Sequence, residues 1–187
     1  MTAIPRPDHL LTLEEWDALP PDTFRRCELV EGVLIMVPAP APLHQRVMVR
    51  LAADLDGQLP DDLTALADVD VLLDARHPVT VRAPDVVVTS SKLVQENPFR
   101  LDAADVLLAV EIVSPGTGRT DRVTKLTEYA DAGIPSYWII ELDEPVTLTA
   151  YTLVDGDYEI VAQADGAVSL SEPAPVTVDV GALTRRR

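Results

Sequence analysis

The chain has 187 residues, with 31 acids against 15 bases, and a formal net charge of −16. Its 47% hydrophobic content suits one ordinary domain whose core forms without disulfide or metal staples, and argues against a wholly disordered chain. No run of about 18 apolar residues offers a membrane span, Met1 to Leu10 lacks the order of a secretory leader, and the one cysteine, Cys27, excludes an internal disulfide or a cysteine-based zinc cluster.

A cytoplasmic protein is therefore expected. Three scattered histidines, His9, His44 and His77, form no HExxH-type site. No segment is basic, and the only cationic cluster is the terminal Arg185-Arg186-Arg187, read as a frayed tail. Long-range attraction to a phosphate polymer should be weak unless local cations or bound metal intervene.

In chain order, Thr12-Leu13-Glu14-Glu15 is a capping box, predicting a short helix through Trp16 and Leu19 that stops at Pro20-Pro21. Glu28 to Val37 reads as a hairpin turning at Glu31-Gly32. After a proline-rich connection, Pro42 opens a helix to about Leu55, with Val47, Leu51 and Leu55 on one stripe and Gly57 at its end.

Strands are predicted at Val69–Leu73, Val79–Thr89 (interrupted by Pro84), Val106–Val113 and Tyr137–Leu142. The third is nearly continuously apolar, as in a strand buried on both faces. Thr120–Ala132 reads as a helix, with Thr120 as N-cap, a Val123/Leu126/Ala130 stripe, and Gly133 at its end. Strand, helix and strand then form a parallel crossover. Val146–Leu153 and Tyr158–Ala162 alternate around Asp155-Gly156 as a hairpin, and a short strand, Val176–Val180, precedes the arginines. The pattern is α/β, a mixed central sheet with a β-rich periphery.

Three residues stand out chemically. Glu111 lies inside an apolar strand, where a carboxylate is costly unless paired or metal-bound. It sits near the C-terminal end of a strand predicted to be parallel, the region where open α/β sheets bind ligands. Asp85 follows Pro84 and leads into Val86-Val87-Val88. Two carboxylates converging at one sheet edge repel, and a divalent cation on oxygen ligands, magnesium or manganese, resolves this. Lys125 sits mid-helix in the crossover, with Asp121 and Tyr129 at i−4 and i+4, on a face away from the apolar stripe. It can offset charge on a pentavalent phosphate.

Each has a plainer reading: strand entry for Asp85, a buried ion pair for Glu111, a solvated helix face for Lys125. Alternation puts Tyr137 and Trp138 on opposite faces of a buried strand, so both read as core rather than base-stacking residues. Cys27 reads as structural.

The order Pro84-Asp85, then Glu111-Ile112-Val113-Ser114-Pro115, then Asp121-x-x-x-Lys125, then Gly133-Ile134-x-x-Tyr137-Trp138-Ile139-Ile140 resembles the Uma-two family of endonuclease-like proteins. That family is a bacterial branch of the PD-(D/E)XK, restriction-endonuclease-like superfamily. Glu28-Leu29-Val30-Glu31-Gly32 and His44-Gln45 add to the likeness, which spans roughly Leu11 to Asp143.

The resemblance implies a restriction-endonuclease-like mixed sheet flanked by helices, with extra hairpins in the N- and C-terminal parts. One domain is expected, with a core at about 11–143 and a β-rich extension at 144–187. It also implies a divalent metal on Asp85 and Glu111, and hydrolysis of DNA phosphodiester bonds assisted by Lys125. The superfamily lysine usually stands two residues after the second acid. Here that position is Val113, and Lys125 on the following helix is the matching residue. Secondary candidates are Glu28 as a further acid or outer ligand, His44 as a phosphate or carboxylate contact, Asp121 as a partner of Lys125, and Glu141 at the end of the last core strand.

A magnesium-dependent DNA endonuclease, acting as a homodimer, is the leading expectation. The alternatives are a non-catalytic interaction or assembly module of the same fold, which the charge favours, and a hydrolase of small phosphodiesters.

Overall fold

The computed structural model describes residues 7–20, 27–113 and 120–185, and the side chains of 120–122 fall outside that description. The architecture is mixed α/β. The capping box forms as predicted: Thr12 Oγ1 accepts from Glu15 N, Glu15 bonds back to Thr12 N, and α1 (Leu13–Asp17) buries Trp16. The first hairpin, β1 (Cys27–Val30) and β2 (Val33–Met36), turns at Glu31 and Gly32, both at positive φ (47° and 75°). That is the geometry favoured by a tight two-residue turn.

Helix α2 (Pro42–Asp56) begins on its proline and ends at Gly57. Its Val47, Met48, Leu51 and Leu55 are buried. Strand β3 (Leu63–Ala67) follows, an element the sequence reading missed.

The predicted Val79–Thr89 strand is two strands in two sheets. β5 (Thr80–Arg82) pairs with β1 and with β4 (Val71–Asp74), whereas β6 (Val86–Ser90) pairs with β3 and with β8 (Val106–Val113). Pro84 lies where the chain leaves one sheet for the other. It has no N–H for a ladder, so a break there loses no bond. A short helix, α3 (Ser91–Glu96), and a two-residue strand, β7 (Leu101–Asp102), connect β6 to β8.

One sheet has the order β2-β1-β5-β4-β7. The larger runs β11-β10-β9-β8-β6-β3, where β9 is Ser136–Glu141, β10 is Thr147–Val154 and β11 is Asp157–Ala164. Strands β8 and β9 are parallel, as the crossover reading requires. Hairpin β10–β11 turns at Asp155-Gly156 and extends the same sheet. The last strand, β13 (Val176–Asp179), pairs with β12 (Ala167–Leu170) and leads into an unpredicted helix, α5 (Val180–Thr184).

The six-stranded sheet is packed on both faces. On one, Leu108, Val110, Ile112, Trp138 and Ile140 meet α2, β13 and α5. On the other, Val87, Ala109, Tyr137 and Ile139 meet Tyr129 and Ile134 from the crossover. Tyr137 and Trp138 are thus core on opposite faces, and Cys27 is buried beside Trp16 and Leu29. Burial pushes the Cys27 thiol up, away from the reactive range.

Two face counts fail against the structure. Strict alternation along Val106–Val113 puts Val106 on the face of Leu108, but Val88 pairs with Leu108 while Thr89 pairs with Val106. Leu107 is the extra residue of a bulge, and Val106 packs with Ala109 instead. In the crossover, Thr120–Lys125 is π-helical and only Leu126–Asp131 is α-helical (α4). Val123 is 58% exposed, while Lys125 and Tyr129 face the sheet. The wider π turn shifts the helix phase, so a 3.6-residue count across it picks the wrong stripe. No helix among the described residues is long and apolar enough to cross a membrane.

Candidate functional site

Asp85 and Glu111 are brought together by strand register. Val86 pairs with Val110 in an antiparallel ladder, so Asp85 stands opposite Glu111 one step further along. Asp85 Oδ2 accepts from Ile112 N at 2.7 Å, which ties the side chain onto β8 itself. His44, in the first turn of α2 and nearly buried, places Nε2 3.2 Å from the same oxygen. A carboxylate only accepts, so Nε2 carries the proton in this contact.

Glu111 is 4% exposed, and its Oε1 accepts from Lys125 Nζ at 2.8 Å and from Tyr129 Oη at 2.7 Å. Lys125, 7% exposed, also lies 3.3 Å from Glu28 Oε1. Four of the sequence candidates, Asp85, Glu111, Lys125 and Glu28, therefore meet in one cluster, with His44 on its Asp85 side. Asp121 lies in the π-helical turn, and its side chain falls outside the described residues. Glu141 sits in register with Val113 and accepts from Thr147 Oγ1 at 3.3 Å.

The plainer reading of Lys125, a solvated helix face, does not hold: its ammonium is packed between Glu111 and Glu28. The π-helical turn directs it inward, together with Tyr129 one α-turn on.

Arg82, Glu128 and Tyr129 were not singled out for the site. Arg82 is 3% exposed on β5. Its Nη1 donates to Glu28 Oε2, while Nε and Nη2 grip the two oxygens of Glu128, each at 2.7 Å. The signal was present, because Arg82 is a charge inside the apolar run Val79-Thr80-Val81-Arg82-Ala83, the same anomaly that marked Glu111. Burial opposes ionisation of Arg82, but the bonds and charges of Glu128 and Glu28 outweigh it and hold its pKa above the ordinary arginine value. At Glu28, burial pushes the carboxyl up, yet Lys125 and Arg82 prevail and leave it below its usual range. Burial first, then the Glu111 charge, pushes the Tyr129 hydroxyl well up, so it stays protonated and donates to Glu111.

The donor set fits a divalent cation in two respects. Four carboxylates (Glu28, Asp85, Glu111, Glu128) stand against two cations (Arg82, Lys125), 2 − 4 = −2 with His44 neutral. One divalent ion would balance that charge. Asp85 and Glu111 stand opposite each other on adjacent strands and offer oxygen donors, which suit magnesium or manganese. Among the described residues no three His, Cys, Asp or Glu side chains are grouped as a fully protein-ligated metal requires. Magnesium commonly binds through one or two carboxylates and completes its shell with water and substrate phosphate.

A crystal structure from Anabaena variabilis, described as a putative nuclease belonging to DUF820, superposes with a TM-score of 0.71. The superposition covers 93% of this chain and 97% of that chain at 20% identity. At that identity the likeness shows a shared fold. No curated protein matches the chain. A family model described as "Uma2: Putative restriction endonuclease" matches residues 7–182. Since that match spans nearly all of the sequence, the chain belongs to the Uma2 family.

Proposed function

We propose that the protein is a divalent-metal-dependent endonuclease that hydrolyses DNA phosphodiester bonds, with Asp85, Glu111 and Lys125 as its working residues. The observation that carries the reading is the facing pair Asp85 and Glu111 across adjacent strands, with the Lys125 ammonium seated on Glu111. Asp85 and Glu111 would hold magnesium or manganese, which supplies Lewis acidity toward a phosphate oxygen. The remaining work falls to the chain. The Ile112 N–H and His44 orient Asp85, Tyr129 orients Glu111, and Lys125 sets a positive charge where negative charge builds on phosphorus.

Purified protein should cleave plasmid DNA in magnesium or manganese. Asp85→Ala, Glu111→Ala and Lys125→Ala should each lower the rate at least about a hundred-fold. Protein that leaves every DNA form intact across metals and low salt would overturn the reading.

The net charge of −16 favours a second reading, a hydrolase of small phosphodiesters, which needs no basic groove. Turnover of a model phosphodiester that duplex DNA does not inhibit would select it. A non-catalytic assembly module remains the outcome if neither substrate turns over.

A homodimer accompanies the first reading. Strand β11 ends the six-stranded sheet and exposes Ile160 and Val161 (62% and 57%). A sedimenting dimer at micromolar concentration supports it, and a monomer removes it.

A further inference from the structure

We propose that Arg82 is the positioning residue of this site, holding Glu28 so that Glu28 in turn holds the Lys125 ammonium against Glu111. The inference rests on the endonuclease reading for its meaning but not for its test. Each oxygen of Glu28 is engaged: Oε2 by Arg82 Nη1 at 2.7 Å, Oε1 by Lys125 Nζ and by Ala83 N, both at 3.3 Å. Glu28 is therefore an anchor for the lysine rather than a further metal ligand.

Arg82 is suited to this because its planar fork serves two carboxylates at once. Nε and Nη2 take Glu128 on the crossover helix, and Nη1 takes Glu28 on the first hairpin. The fork thus ties three chain segments at the seam where the polypeptide passes from the smaller sheet to the larger. A lysine at this position has one ammonium and cannot serve both acids in the same geometry. Without the guanidinium, Glu28 is no longer held in place, and Lys125 loses the second carboxylate that keeps it buried against Glu111.

The protein contains two lysines, Lys92 and Lys125, so amine acetylation resolved by peptide mass spectrometry reads the site cleanly. Lys92 is exposed and serves as the internal standard, whereas Lys125 is buried and ion-paired. Arg82→Gln should raise the Lys125 acetylation rate at least about ten-fold relative to Lys92. Arg82→Lys, the gentler change, should do the same. Glu128→Ala removes the helix tie but leaves the Arg82–Glu28 bond, and should leave Lys125 labelling within about two-fold of wild type.

Equal labelling in the Arg82 and Glu128 variants would mean that Arg82 only anchors the helix, and would overturn the proposal. So would unchanged labelling in Arg82→Lys, or failure of both Arg82 variants to fold. In DNA cleavage, Arg82→Lys should lower kcat at least ten-fold with KM within about two-fold. The labelling needs no turnover, so a wild-type protein that cleaves nothing removes the endonuclease reading while leaving the role of Arg82 to the acetylation result.

Discussion

Glu111 shows how a single residue can be legible while its partners are not. A carboxylate in an apolar strand demands company, and the company proves to be Lys125 and Tyr129. Removing one side of such a buried pair costs about 3 kcal/mol, because the other charge is left stranded. Glu111→Ala should therefore lose roughly that much in urea denaturation. A loss under about 1 kcal/mol would show that Lys125 is fully compensated by its other partners, Glu28 among them.

Asp70, just before β4, makes the opposite case. Burial pushes its carboxyl up to about 6; Arg100 offsets this in part, and Asp68 and Glu28 add to it. A carboxyl raised from 3.8 to about 6 is worth roughly 3 kcal/mol between charge states, and partial exposure reduces the realised effect. The raised value means that the folded state holds its proton more tightly than the unfolded chain. Ionised Asp70 thus weakens the fold above about pH 6, and the penalty fades as pH falls toward 3.8. Asp70→Asn should add about 2 kcal/mol near pH 8 and little near pH 4. Equal effects at both pH values would refute this.

At the scale of elements, the turns were the clearest signals and the helix phase the least clear. Glu31-Gly32 and Asp155-Gly156 marked their hairpins because each turn needs positive φ at both positions. Gly32 has a second constraint: a Cβ there would lie 2.8 Å from the Leu10 Cβ. Since β1 carries Glu28, Gly32→Ala should cost about 2 kcal/mol and loosen the site with it. A thermal midpoint equal to wild type would contradict that.

Pro84 was read as an interruption in one strand, yet it separates two strands of different sheets. A strand break and a change of sheet leave the same local pattern, and only the pairing partners distinguish them. The crossover misled for a related reason. A π turn leaves no mark in hydrophobic spacing except a stripe that fails to stay in phase. Hence Val123, predicted in the core, is exposed. Val123→Lys should shift stability by less than about 0.5 kcal/mol, whereas a loss above 2 kcal/mol would restore the original stripe.

For the whole molecule, the sheet order could not be read from strand signals. Up to β8 the chain passes back and forth between the two larger sheets, so sequence neighbours there are often not spatial neighbours. The site depends on that weaving, because Glu28 and Arg82 come from one sheet while Asp85 and Glu111 come from the other. Charge, by contrast, is fully legible, and it constrains how DNA would bind. Affinity for duplex DNA loses roughly 0.9 decades per decade of salt for each phosphate neutralised by a basic side chain. Here no segment is basic, and Arg82 and Lys125 are already committed to carboxylates. An endonuclease built this way should grip few phosphates through its own cations and rely on the metal for local attraction. The logarithm of KM for duplex DNA against the logarithm of monovalent salt should then have a slope no steeper than about 2, at saturating magnesium. A slope near 5 would require several phosphate-contacting basic side chains, and would place the DNA on a surface other than the one around Asp85 and Glu111.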